Sequence, residues 1–209
     1  AYENVQQLKA EKIDLIIGMV GTRNIKAVLP MVQEKEIALL FPWGCSVDLD
    51  RTILPYMIHG QCTLKPHLQH LASYLAGCQQ HTNIGIVHSD SAFGITSSRY
   101  AEQLLKTFAS ADVPVKVTTY TYNSRNAETE HIVEAISKDK PHAIMFLSSS
   151  RPTSKIIKGI WAQGNYIQDL VGSNSNCFVP GQIDNSAAHF RYTRCVPCIT
   201  QTEYPIVQQ

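Results

Sequence analysis

The chain predicts an α/β protein built on parallel sheets with helices covering both faces. Short apolar runs alternate with amphipathic segments at helical spacing along nearly the whole chain, and several of those runs are apolar at consecutive positions. A strand buried on both faces reads that way, and strict strand-helix alternation is the signature of parallel sheets joined by helical crossovers.

The elements follow in order. Val5 and Leu8 mark the apolar side of an opening helix, and Ile13 to Ile17 reads as the first strand. Ile25, Val28, Leu29 and Val32 recur every three to four residues and give the second helix, after which Ile37 to Phe41 is again a strand. No helix is evident next. An irregular stretch from Trp43 to Leu54 leads into an extended run, Pro55 to Gln61, which suits a crossing between two lobes. Further strands are expected at Ile84 to Val87, Val115 to Tyr122, Ala143 to Leu147, Ile167 to Val171 and Cys195 to Thr200. Between them, helical faces are marked by Leu68, Leu71, Tyr74 and Leu75, then Tyr100, Leu104, Leu105 and Phe108, then Ile132, Val133 and Ile136, then Ile156, Ile157, Ile160 and Trp161. Two strands alone, at Ile13 and Ile37, make a sheet too small to stand by itself, so part of one lobe is expected to lie outside this piece.

Composition narrows the function. The 209 residues are 44% hydrophobic, enough for a real core, and a net charge of +1 offers no field for a polyanion, so no nucleic-acid partner is expected. The apolar runs are far shorter than the roughly 20 residues that span a bilayer. No direct membrane insertion of this segment is expected, and any targeting segment would lie outside it. Six cysteines are too sparse for a disulfide scaffold. Cys195 and Cys198 have redox or zinc spacing but fall in a strand-like run, where residues three apart face opposite ways. Two unrelated structural cysteines are expected, with a disulfide to Cys177 as the alternative.

In open α/β sheets, ligands bind beyond the carboxyl ends of the strands, where helix N-termini present free N–H groups. Here those positions are Gly21 to Asn24, Pro42 to Ser46, Ser89 to Gly94, Ser148 to Arg151 and Gly172 to Asn176. Small hydroxyl and amide residues beside Trp43 and Phe93 suit the enclosure of a small polar molecule, although Ser, Asn and Asp also serve simply as helix caps. Catalytic motifs are missing: there is no dinucleotide or triphosphate glycine loop and no nucleophile elbow, so no enzyme, cofactor or metal is expected. His67 and His70 are read as solvent-facing polar residues, and His88 as structural rather than a general base.

The run Lys9 to Thr22, with Ile13-Asp14-Leu15-Ile16-Ile17-Gly18, then Leu39-Leu40-Phe41-Pro42, then Ile84 to Gly94 with its Asp-x-Ala-Phe-Gly ending, resembles the leucine/isoleucine/valine-binding family of ABC-transporter receptors. Lys140 to Phe146 and the helix to Gly164 continue the resemblance, which covers nearly the whole chain in order. It implies a type 1 periplasmic binding fold of two Rossmann-like lobes that close on a ligand, with the first lobe incomplete. Residues 1–60 would belong to lobe one, 61–198 to lobe two, and 199–209 would begin a return crossing; the first crossing would lie near His59 to Cys62.

The resemblance also implies a ligand set. Thr22 matches the hydroxyl that holds a ligand carboxylate, and Trp43, Gly44 and Cys45 occupy the second carboxylate loop, where Cys45 replaces the usual hydroxyl residue. Phe93 falls where an aromatic ring packs on the ligand, and Ser149 or Ser150 where a lobe-two contact is usual. Asn174 stands where amino-acid receptors place an acid opposite the ligand ammonium, and a neutral amide cannot supply that charge-assisted bond. The implied function is an extracytoplasmic, periplasmic or extracellular, receptor for a small-molecule ligand (amino acid, amide or small carboxylate), delivering it to ABC-transporter membrane subunits. A ligand-sensing domain of a signalling receptor or amide-responsive regulator is the alternative.

Overall fold

The computed structural model describes residues 1–44, 54–59, 64–110, 112–164, 167–173 and 190–193, together with Val47 and Leu49. Among the described residues, six α-helices and eight strands run in the order α1 (Tyr2–Ala10), β1 (Leu15–Ile17), α2 (Thr22–Gln33), β2 (Ala38–Leu40), β3 (Met57–Ile58), α3 (Leu64–Ala72), β4 (Asn83–Ser89), α4 (Ala92–Lys106), β5 (Lys116–Tyr122), α5 (Glu130–Asp139), β6 (Ala143–Leu147), α6 (Ser150–Ala162), β7 (Asp169–Ser173) and β8 (Phe190–Thr193). Helix α3 continues into a wider π turn at Ser73–Cys78.

The strands form two separate all-parallel sheets, ordered β1-β2-β3 and β5-β4-β6-β7-β8, which are the cores of two lobes. Alternation along β6 shows how the second lobe is built. Met145 and Leu147 face one way, into a cluster with Leu64, Leu68, Ile86 and Leu105, while Ile144 and Phe146 face the other, packing with Ile132, Ile136, Ile156 and Ile160. Both faces of the central strand are therefore dry, which is why it reads as a continuous apolar run.

Among the described residues, the first lobe is covered on one face only. Val5, Ile25, Val28, Val32, Leu39 and Met57 make its core, whereas Leu15, Ile17 and Ile58 on the opposite face are exposed.

Two expectations are corrected. The extended run at Pro55 to Gln61 is not merely a crossing: Met57–Ile58 pairs with Leu39 and Leu40 as a third strand of the first sheet. The chain leaves that sheet at Ile58 and enters the second lobe's core at Leu64; apart from His59, the expected crossing at His59 to Cys62 lies outside the described residues. His67 is buried rather than solvent-facing, because it shares the inward face of α3 with Leu64, Leu68 and Leu71; His70 is exposed as expected. The strand expected at Cys195 to Thr200 and the pairing of Cys177, Cys195 and Cys198 lie outside the described residues. Strand β8, at Phe190–Thr193, has no counterpart among the expected elements.

Candidate functional site

At the carboxyl ends of both sheets lies a cleft of about 910 Å³, lined from the first lobe by residues 20–23, Trp43 and Gly44, and from the second by residues that follow β4, β5 and β6. The lobe-one wall is held by backbone bonds that carry the β1–β2 pairing past the strands. Trp43 N donates to Met19 O at 2.7 Å and Gly21 N donates to Trp43 O at 2.8 Å, so the two loops are tied together through their backbones. Gly21 sits at φ +99°, which favours glycine, and turns the chain into α2. A side chain at Gly44 would strike the end of the Ile25 side chain and crowd Thr22 N at 3.2 Å, so glycine lets this loop lie against the start of α2 without displacing either. Phe41, at φ +51°, takes a left-handed turn that bulky residues avoid, and such strain concentrates at functional loops.

The lobe-two wall begins with Ser89, Asp90 and Ser91. Ser91 caps α4, its Oγ accepting from Gly94 N at 3.2 Å and lying 2.7 Å from Ser89 Oγ. Asp90 receives Ser124 N at 2.8 Å, and those hydrogen bonds, with Arg125 beside it, hold its carboxyl below the ordinary range. Asp90 is thus committed to tying the β4 and β5 loops together. Buried His88 does not reach the cleft: Nδ1 donates to Ser89 O at 2.9 Å, and Nε2 lies 3.1 Å from Thr121 Oγ1. It stitches β4 to β5, a structural role.

Of the expected site residues, the structure brings Thr22, Trp43, Gly44, Phe93 and Ser149 to the cleft. Ser150 is buried one residue into α6 and is not part of the lining; Cys45 and Asn174 lie outside the described residues. Trp43 is about half exposed at 49%, and Phe93 rests on the second lobe's core.

Sequence reasoning missed the loop after β5. Tyr122, Ser124, Arg125, Asn126 and Ala127 all line the cleft. The polar cluster Asn123-Ser124-Arg125-Asn126 directly after a strand was the available signal. Lys155 was also missed, since it lies a turn into α6, four residues after Arg151 and on the same side of the helix. The consequence is a strong charge imbalance. Among the described residues the lining carries Arg23, Arg125, Arg151 and Lys155 against Asp90 alone. No group of acidic, His or Cys residues among those described could hold a metal.

A sequence profile described as periplasmic binding protein matches residues 1–175. Comparison with curated protein sequences finds no match. Solved structures with the same fold include a substrate-binding periplasmic protein from Ralstonia solanacearum, at 18% identity and TM-score 0.80 over 99% of this chain and 58% of that one. A leucine-binding protein from Thermotoga maritima aligns at 12% identity and TM-score 0.73, covering 97% and 56%. An ABC-transporter solute-binding protein from R. palustris, solved with 4-hydroxybenzoate, aligns at 18% identity and TM-score 0.69, covering 88% and 50%. The chain thus spans a little over half the length of these structures. With two parallel-sheet lobes flanking a polar cleft and a profile match over most of its length, the chain belongs to the periplasmic binding protein family.

Proposed function

We propose that the protein is an extracytoplasmic receptor, without catalytic turnover, that captures a small organic carboxylate and delivers it to the membrane subunits of an ABC transporter. The observation that carries this reading is the charge of the cleft: four cations and one already engaged carboxylate line it among the described residues. A ligand ammonium would meet repulsion there, whereas a carboxylate gains charge-assisted hydrogen bonds. Thr22 and the loop at Trp43 and Gly44 are proposed to receive the acid from the first lobe, with Phe93 and Ser149 contacting the body from the second; Cys45, Ser150 and Asn174 remain proposed contacts on the resemblance alone. Trp43 and Phe93 suit a flat body, each stacking contact adding about 1 kcal/mol.

A thermal-shift screen of the intact protein tests it. Simple carboxylates at about a hundredfold excess over their dissociation constants should stabilise by about 2.7 kcal/mol. Free leucine, isoleucine and valine should stabilise less, and a branched-chain amino acid that outperforms every carboxylate lacking an ammonium would overturn the proposal.

A further inference from the structure

The two walls of the cleft repeat one short arrangement. On lobe one, Gly21 is the N-cap of α2, Thr22 its first residue and Arg23 its second; on lobe two, Ser149 is the N-cap of α6, Ser150 its first residue and Arg151 its second. Neither helix has an acidic residue in its first turn, and each instead sets a guanidinium there on the lining of the cleft. Local helix energetics disfavour this, because a cation in the first turn opposes the helix dipole. Helices α1 and α5 follow the ordinary rule, with Glu3 and Glu130 in their first turns.

The other two cations of the lining have acids near them: Arg125 lies beside Asp90, and Lys155 is near Glu130. Arg23 and Arg151 have no hydrogen-bond or ion-pair partner among the described residues, and both are exposed to the cleft. The unbalanced charge is therefore split between opposite walls. One monoanion could answer only one of the two arginines, and closing the lobes around it would press the other into a cleft of its own sign.

We infer that the ligand is a small dianion with its acidic groups at opposite ends, one held by Arg23 and the other by Arg151. This inference rests on the carboxylate-receptor proposal and sharpens it. The paired grips also couple binding to closure, since only a ligand that reaches both walls neutralises the repulsion between them.

Calorimetric titration of the intact protein with benzoate, the benzenedicarboxylates, butyrate, succinate and glutarate tests it. At least one dicarboxylate should bind roughly tenfold or more tighter than the monoacid of the same body. Arg23→Gln and Arg151→Gln should each bring that dicarboxylate down to about the affinity of its monoacid. Both side chains are exposed, and circular dichroism of each variant confirms its fold. Monoacids binding as tightly as their dicarboxylates would overturn the dianion and leave the carboxylate receptor standing. Binding of none of these acids by folded protein would overturn both, and dicarboxylate preference that survives both substitutions would overturn the assignment of the two grips.

Discussion

At the scale of the residue, burial decides what each polar group does. Tyr120 lies on the inner face of β5 with its hydroxyl donating to Asp139 at 3.0 Å. Burial, then the hydrogen bond and charge of Asp139, push its phenol well above the ordinary 10.0. The folded state therefore keeps this proton while the unfolded chain gives it up near pH 10. A raised value means that the contribution is fully present below about pH 10 and is lost as pH climbs through the range above it. Urea melts in alkaline buffers should show stability falling beyond pH 10, with a shallower fall in Tyr120→Phe. Equal slopes for the two proteins would show that Tyr120 does not control alkaline stability.

At the scale of the element, one buried cluster locks the amino-terminal edge of the second sheet, opposite the cleft. Asp169, at the start of β7, accepts from Tyr74 Oη at 2.9 Å and lies 2.9 Å from His81 Nε2, joining the π turn after α3 and the approach to β4 to a strand that is distant in sequence. His81 and Asp169 are both buried. Asp169→Ala leaves His81 and the Tyr74 hydroxyl without their acceptor and should cost about 3 kcal/mol in chemical denaturation, whereas an exposed pair such as Lys9–Glu36 should cost under about 1 kcal/mol. A loss at Asp169 no larger than that at Glu36 would mean the cluster is ornamental. None of this was legible in the sequence, because His81 and Asp169 meet only through the crossover. Buried two-sided strands such as Ala143–Leu147 were legible, since dryness on both faces writes itself as consecutive apolar residues. Short β3 and edge β8 were not: two residues carry no period, and Phe-Arg-Tyr-Thr offers no unbroken apolar run. In the cleft, Thr22, Trp43, Gly44, Phe93 and Ser149 were legible as positions after strands, whereas Lys155 was not, because its place depends on which way α6 turns.

At the scale of the whole molecule, the two sheets are unequal in how they are covered. Among the described residues, the second is sheathed by α3 and α4 on one face and by α5 and α6 on the other, while the first has α1 and α2 on one face and an exposed opposite face. Ile17 is 66% and Ile58 55% exposed, with Leu15 and Phe41 also exposed nearby, which gathers large apolar side chains at the β1-β2-β3 sheet. Contiguous apolar surface of this kind drives association in water. Residues 1–209 alone should therefore bind a hydrophobic dye and self-associate as concentration rises. Placing charge on the open face separates this cause from general instability. Ile17→Lys with Ile58→Lys should shift static light scattering toward the monomer and reduce dye binding, with little loss of secondary structure, because neither side chain belongs to the core of the first lobe. Association unchanged by the two lysines, or a monomeric parent chain at every concentration, would show that this face does not govern the behaviour of the molecule.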